Sequence, residues 1–554
     1  MFSFLGVEAK TNLRHQVSLP FPQELKFKVE FWRAIYTKYS TKQGVLHDAE
    51  DLSIIYDAIE LPKNGDTAGV DQMRAEIREH LFNILRKRGE NLTMAERKLL
   101  TKFPANTSRS RLLQATENIR FQLGQSDRFK AGLLRSGLYM KHIEVILAEE
   151  GLPDFIKYLP HVESSYSEQA ISKFGAAGLW QLMPQTGKQY LRVDYAVDER
   201  LDPLLATHAA AKHLARDFQM LGAWPLALTA YNHGAGGISR AVQTLGTTDI
   251  AEIAFRFQSP SFGFASRNFY AQFLAAVDVA ENYRRYFGEL PIPQPIVFEA
   301  VTLKEPKYFR EFSQNYRVSL EDFKKLNPAL RSPVYSNQRP IPRGMLLRVP
   351  PHSQRLPELI ASLDKRAIPA KAKSAKLPEI RVTKTPAAKD LKPKNEVVEI
   401  ISPYRIQDIA NGKGWITVEI NETISQIAEW LGVGLEDLRS WNGMDAQAQT
   451  RLGQKLLVKV DRIKVDEFQQ VREDYHKKIK EDFFSQYDVA SLTNYEVQKG
   501  ENLWSLCYQK FDLPPWLLQE YNVGVSLVNL APGTKLKIPV LNEKLGAPMI
   551  SSRQ

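Results

Sequence analysis

Cysteine is nearly absent: Cys507 stands alone in 554 residues. One thiol excludes an intramolecular disulfide and every zinc site that needs several cysteines. Flanked by Leu506 and Tyr508 in an apolar helical stretch, it reads as a small core residue. Long apolar runs are missing too. Nothing approaches the roughly 18 consecutive apolar residues of a membrane-crossing helix, so no transmembrane span is expected. The opening Met1-Phe2-Ser3-Phe4-Leu5-Gly6 is shorter than the apolar core of about 7 to 15 residues in a secretory signal, and no cysteine near it offers a lipid anchor. Metal-binding spacings fail in turn. His208 and His213 are five apart, so they do not share one helix face (213 − 208 = 5). His161-Val162-Glu163 matches only the first part of a zinc-deaminase signature, whose second part needs two cysteines. His233-Gly234-Ala235-Gly236-Gly237 neither follows a strand nor fits the dinucleotide fingerprint. No metal and no organic cofactor is expected.

What is present is ordinary in bulk, with 43% hydrophobic and 25% charged residues, and long enough for several domains. The net charge of +11 raises the question of nucleic acid. Much of that excess lies in one Lys-rich stretch, and no zinc-finger, recognition-helix or RNA-binding signature accompanies it. No nucleic-acid partner is expected; a basic chain would also be drawn to an acidic polymer.

From about Pro22 to Glu150 apolar positions recur at helical spacing, as in Phe27, Phe31, Ile35 and then Leu52, Ile55, Ile59. This predicts a helical amino-terminal region, residues 1–145, with no chemistry before residue 118. Residues 146–290 are expected to be a second, mostly helical domain with Ala-rich packing runs. Its Asp202-Pro203 pair reads as a helix N-cap followed by proline at the first helical position, which takes Asp202 out of the chemistry.

The rest of the chain repeats itself. Leu438-Arg-Ser-Trp441-Asn442 and Leu518-Gln-Glu-Tyr521-Asn522 are each followed, eleven residues after the asparagine, by Gly453-Gln-Lys-Leu456-Leu-Val458 and Gly533-Thr-Lys-Leu536-Lys-Ile538. Both windows open on a short alternating strand, Ile416-Thr-Val418 or Tyr495-Glu-Val497, and a turn that starts a helix. This βααβ order over residues 412–461 and 493–542 resembles the LysM module, which binds N-acetylglucosamine in chitin and peptidoglycan. A third window, residues 291–351, carries Asn327 and Gly344 at a spacing of 17 and reads as a degenerate LysM-like unit. Residues 352–405 are Pro, Ala and Lys rich, the composition of a semi-extended tether. Residues 462–492 read as an amphipathic connecting helix whose charges form a solvated face.

The most informative motif is His161-Val162-Glu163-Ser164-Ser165-Tyr166, followed by Gly178-Leu179-Trp180-Gln181-Leu182-Met183-Pro184 and by Ala230-Tyr231-Asn232. It resembles the soluble-lytic-transglycosylase (goose-lysozyme-like) family, which cuts the glycan strands of bacterial cell walls. Trp180 and the carboxy-terminal LysM windows are similar to its membrane-bound D subgroup. The resemblance implies a lysozyme-like fold and makes the whole chain an α+β multidomain protein: a mostly helical catalytic domain, then small βααβ modules.

Cleaving a glycosidic bond needs a proton on the leaving oxygen. Glu163, among Leu159, Pro160, Val162 and Tyr166, has the apolar neighbours that keep a carboxylic acid protonated. By the resemblance it acts first as acid toward the leaving oxygen of the MurNAc-GlcNAc β-1,4 bond. It then acts as base toward the sugar's own 6-hydroxyl, leaving a 1,6-anhydro-MurNAc end and consuming no water. Most glycosidases use two carboxylates. Glu168, Asp194, Asp198 and Glu199 lie near in sequence, but the resemblance gives none of them a catalytic role, so a single acid assisted by the substrate's N-acetyl group is preferred.

The resemblance further implies that Ser164, Ser172, Gln181, Met183, Tyr231, Asn232 and Tyr270 line the substrate site. Family members show Arg-x-Tyr where this chain has Arg267-Asn268-Phe269-Tyr270, which places the tyrosine one position late. For the LysM windows, the turns Glu422-Thr423-Ile424 and Glu501-Asn502-Leu503 are the expected glycan contacts, through backbone amides that reach N-acetyl groups. The implied partners are peptidoglycan glycan strands and N-acetylglucosamine-containing polymer, bound by a monomer in the periplasm or cell envelope. Two other readings stay open: a lysozyme-like hydrolase of the same polymer, and a wall-binding scaffold with an inactive enzyme domain.

Overall fold

A computed structural model describes residues 19–62, 68–259, 261–351, 404–445, 448–460 and 465–544. The amino-terminal Met1–Gly6 and tether residues 352–403 lie outside the described residues. Two compact units emerge. The first comprises the chain up to Phe298, Lys324–Ile341 and the chain from Lys477 onward, and the second comprises Glu299–Phe323 and Pro342–His476.

The first unit opens on helix α1 (Lys26–Thr37), which turns Val29, Trp32, Ile35 and Tyr36 inward at steps of three and four residues. Strands β1 (Gln43–Asp48), β2 (Ile55–Glu60) and β3 (Ile119–Leu123) then form an antiparallel sheet in the order β2-β1-β3. Helices α2 (Ala68–Arg86) and α3 (Arg109–Glu117) bury Ile77, Leu81, Ile84 and Leu112 with Leu46 and Tyr56 of the sheet. The amino-terminal region is therefore not all helical. Leu52, Ile55 and Ile59 do have helical spacing, but a side-chain turn breaks the helix before it can form. The Asp48 carboxylate accepts the Glu50 and Asp51 amides at 2.9 Å each and the Tyr56 hydroxyl. In β3, Ile119, Phe121 and Leu123 alternate with Arg120 and Gln122, the period of a strand.

The main core follows. Helices α4 (Ser126–Glu149), α5 (Leu159–Glu163), α6 (Pro203–Leu221), α7 (Trp224–His233), α8 (Ala235–Leu245) and α9 (Phe264–Glu281) pack with α1 around one apolar cluster. Ala206, Ala209, Ala210 and Ala211 let α6 approach its neighbours closely, and α9 is buried on nearly every side from Phe269 to Ala276. Asp202 caps α6 as its sequence suggests, accepting from the Leu204 and Leu205 amides at 3.0 and 2.9 Å.

In the second unit, β4 (Glu299–Thr302) pairs with β5 (Leu346–Val349). β6 (Gln407–Ala410), β7 (Lys413–Thr417) and β8 (Lys455–Lys459) form a three-stranded sheet, with α10 (Ile424–Leu431) and α11 (Leu435–Trp441) between β7 and β8. Helix α12 (Val465–Gln486) comes next, its part from Lys477 on belonging to the first unit; Lys477, Lys480 and Glu481 are exposed as a solvated face requires, but Arg472 and Lys478 are buried. Arg472 is fully buried and donates to both Glu422 oxygens at 2.6 and 2.7 Å. Lys478 donates to Asp198 and Asp482 at 2.6 Å each. Glu422 and Asp198 lie far away in sequence, so periodicity does not reveal these two pairs.

The carboxy-terminal module belongs to the first unit: β9 (Tyr487–Glu496) pairs antiparallel with β10 (Lys535–Glu543), and α13 (Pro515–Tyr521) lies between. Cys507 is buried with Leu506, Leu517 and Leu518, and burial pushes its thiol up to about 12, which makes it an inert core residue. The asparagine of the repeat has a structural role. Asn442 donates to the Leu438 and Leu457 carbonyls and accepts the Leu457 amide at 2.7 Å, while Asn522 does the same with Leu518 and Lys537. Residues 299–349 share the strand, helices, strand order, with an extra helical turn, Ser332–Tyr335, between Asn327 and Gly344 that accounts for the wider spacing.

Candidate active site

Glu163 is the last residue of α5, and its position is fixed by the turn that follows. Ser165 and Tyr166 take left-handed φ values of 49° and 60°, a conformation that costs a non-glycine residue about 1 to 3 kcal/mol. Several contacts hold it. The Arg135 guanidinium donates twice to the Ser165 carbonyl, at 3.1 and 2.7 Å. Tyr166 buries its ring against His161 and donates its hydroxyl to the Lys157 carbonyl. Gly132 is needed beneath, since a Cβ there would lie 2.9 Å from the same Ser165 oxygen.

The second wall is the loop from Ser172 to Leu182. Gly178 has φ +76° and no room for a side chain, because a Cβ would stand 1.8 Å from the Arg200 carbonyl. Gln181, itself left-handed at φ 47°, donates its amide to the Ala170 and Gly178 carbonyls at 3.1 and 2.8 Å. Arg200 pins the same loop from below, donating to the Gly175 and Leu182 carbonyls at 2.7 and 2.8 Å. Asp198 holds Arg200 through two bonds of 2.9 and 2.7 Å. Burial alone would push the Asp198 carboxyl up, but Arg200 and Lys478 outweigh it and leave it well below the usual range.

Glu163 opens into a cavity of about 650 Å³. Trp32 and Tyr36 of α1, Arg120 to Leu123 of β3, Ser172 to Phe174, Gln181, Phe264 and Gln272 line it with rings and amides. Burial, and then the charge of Glu163, raise the Tyr36 phenol well above its ordinary value, so it stays a neutral donor near Glu163. Arg120 lies over the Phe264 ring at 4.2 Å. The region before residue 118, expected to lack chemistry, thus supplies part of the cavity wall, and Tyr36 and Trp32 carry no local signal that would have singled them out.

A second cavity, of about 320 Å³, shares Gln181 and adds Met183, His213, Arg216, Tyr231, Asn232 and His233. The Tyr231 hydroxyl donates to the Trp180 carbonyl at 2.7 Å, which fixes the peptide just before Gln181. Asn232 accepts from the Ser266 hydroxyl at 3.1 Å. The expected substrate residues therefore divide: Glu163, Ser172 and Gln181 line the larger cavity, and Gln181, Met183, Tyr231 and Asn232 the smaller. Ser164 and Tyr270 line neither. Ser164 is buried and donates to the Leu179 carbonyl at 2.8 Å; Tyr270 donates to the Pro20 carbonyl at 2.6 Å.

The four carboxylates near Glu163 in sequence do not line the larger cavity. Asp198 supports Arg200, Asp194 accepts the Ala196 and Val197 amides, and Glu199 accepts the Arg192 amide. Two unanticipated carboxylates do line it, Glu117 and Asp512, the latter ion-paired with Lys173 at 2.6 Å.

In the LysM-like turns, the side chains are occupied by structure. Glu422 is sealed by Arg472 and His476, Thr423 makes a capping box with Gln426, and Ile424 is core. Glu501 binds Lys510 and Tyr495, Asn502 caps the Ser505 amide, and Leu503 is buried.

The family profile for the transglycosylase SLT domain matches residues 142–254, which hold Glu163, Gln181, Tyr231 and Asn232, and the profile for the LysM domain matches residues 416–459 and 495–539. The chain carries an SLT domain and two LysM domains. It is 24% identical over 420 residues to the membrane-bound lytic murein transglycosylase D of Escherichia coli (strain K12), covering 74% of this chain and 78% of that protein. A putative tributyltin chloride resistance protein of Alteromonas sp. (strain M-1) is 30% identical over 115 residues, 20% of this chain and 55% of its own. A lytic transglycosylase Slt from Pseudomonas aeruginosa aligns over 40% of this chain and 32% of its own at 18% identity, with a TM-score of 0.21, too low to argue a shared fold. Among the described residues no helix is long and apolar enough to cross a membrane. The match to the SLT profile ends before α9, so Tyr270 falls outside it.

Proposed function

We propose that this protein is a peptidoglycan lytic transglycosylase with Glu163 as its acid and base. The observation that carries the reading is the placement of Glu163, 2% exposed, at the floor of the ring- and amide-lined cavity within the matched SLT domain. The Glu163 proton passes to the glycosidic oxygen as its bond to the muramyl anomeric carbon breaks, and the released chain leaves with a new hydroxyl. The substrate's N-acetyl oxygen stabilises the positive charge on that carbon. The 6-hydroxyl oxygen then bonds to the carbon while its proton returns to Glu163, so the acid is regenerated and a 1,6-anhydro end remains. In this reading Tyr36, a neutral phenol that lines the same cavity, donates to the reacting sugar, and Gln181 and Asn232 of the two cavities hold the sugars on either side. Such an activity places the protein in the cell envelope, where its polymer lies.

Digestion of purified peptidoglycan by the protein and by Glu163→Gln, followed by mass spectrometry of the released fragments, tests the proposal. Products one water lighter than reducing-end fragments are expected, reduced by about 10² to 10⁴ in rate for the variant. Normal reducing ends would instead make the protein a hydrolase, with Glu117 the first carboxylate to replace. No products from either protein would leave a wall-binding scaffold.

A further inference from the structure

The carboxy-terminal LysM module reaches the catalytic cavity itself. Asp512 of this module and Tyr487, at the start of the strand that leads into it, line the same cavity as Glu163. Lys173 of the SLT loop joins them, 2.6 Å from Asp512 and over the Tyr487 ring at 5.9 Å. Beside this bridge the rings continue outward. Phe174, which lines the cavity, stacks on Tyr508 at 4.9 Å and 27°, and Tyr508 stacks on Trp504 at 5.5 Å and 16°. One face of Trp504 is thus covered by Tyr508, yet 54% of the residue is exposed, so its other face is open to solvent. Trp504 directly follows the turn Glu501–Leu503, at the start of the helical turn Ser505–Lys510. Nothing in the fold of the module requires this large apolar ring outside, because its core is filled by Leu506, Leu517, Leu518 and Leu536.

We infer that the open face of Trp504 is a distal sugar subsite, held in register with Glu163 by the Phe174–Tyr508 stack and the Lys173–Asp512 bridge. The ligand is a β-1,4-linked N-acetylhexosamine strand long enough to leave the cavity. A pyranose ring presents a face of C–H groups that packs on an indole, which is what the open face of Trp504 offers. The module is then a part of the active site that selects long strands, in addition to being an anchor. This inference rests on the reading that the chain acts on such glycans.

The test uses the full chain carrying Glu163→Gln, so that cutting is slowed by about 10² to 10⁴, and β-1,4-linked N-acetylglucosamine oligomers of four and of eight sugars, titrated by calorimetry. The ratio of the eight-sugar to the four-sugar affinity is expected to fall about tenfold in Trp504→Ala, the worth of one aromatic stack. It is expected to fall equally in Asp512→Lys, which repels Lys173 and undocks an intact Trp504. Val523→Ala, at another exposed apolar position of the same module, controls for substitution as such. A ratio unchanged by Trp504→Ala overturns the subsite. So does an equal loss for both oligomers, which would put Trp504 in the cavity's own binding. A ratio that survives Asp512→Lys overturns the register and leaves an independent module. The digestion of peptidoglycan by the unmodified chain reports separately on the activity, so a failure there is distinguishable from a failure of the subsite.

Discussion

His161 lies two residues before Glu163 and shows how that side chain is seated. Its ring stacks on Phe129 at 4.8 Å and touches Tyr166 at 4.6 Å. Burial, and then the Arg135 charge, lower its pKa to about 3. His47, behind α1, is lowered to about 4, again by burial first. Both imidazoles are therefore neutral in the folded protein at pH 5. In the unfolded chain each titrates near 6.5 and takes up a proton that the native state refuses. The unfolded state binds more protons, so stability falls as the pH falls. Between pH 7 and pH 5 the two residues together are expected to remove about 4 kcal/mol, about 2 from each. Chemical denaturation at the two pH values checks this, and His161→Phe should reduce the acid-induced loss by about half. An unchanged loss in that variant would mean that the imidazole is not held neutral.

The repeated asparagine is the element-scale counterpart. In each LysM module it sits just past the second helix and bonds the last strand fifteen residues on, accepting one amide and donating to one carbonyl. A side chain thereby takes the place of a neighbouring strand, which is why the spacing between asparagine and the Gly-x-x-Leu segment is constant. Asn442→Ala would leave the Leu457 amide and two carbonyls unpaired, at an expected cost of about 3 kcal/mol. Asn442→Asp keeps the acceptor but sets a charged oxygen against the two carbonyls, so it should cost at least as much. Thermal melts of the two variants, followed by tryptophan fluorescence, give the order. Helix α12 carries the same lesson in charge: Arg472 and His476 meet Glu422, whereas Lys478 meets Asp198, which holds the Arg200 that pins the SLT loop.

For the whole molecule, several glycan-binding sites on one chain raise the effective concentration of the polymer at each. The carboxy-terminal module also supplies Asp512 to the larger cavity. Replacing residues 404–476 by a short linker is expected to lower retention on insoluble peptidoglycan by about 10²-fold, and to slow cleavage of short soluble glycans far less. Co-sedimentation and a soluble-fragment assay on the same protein measure both. An equal loss in the two assays would tie that module to the chemistry instead.

The order of residues by itself determined the site motif, the helical caps such as Asp202-Pro203 and the two LysM windows, because each depends on contacts within a few turns of chain. The same local reach misread the strands at 43–60 and 119–123, where one side-chain turn at Asp48 overrides helical spacing. It also left Tyr36, Trp32 and Glu117 without a role, since nothing adjacent to them is unusual. Only the tertiary structure brought α1, β3 and the carboxy-terminal module to the cavity of Glu163, and only it divided the expected substrate residues between two cavities. Those outcomes rest on ion pairs and ring stacks between residues up to 339 positions apart, Lys173 with Asp512 being the widest, and such pairings form only when packing of the whole unit brings the partners within reach.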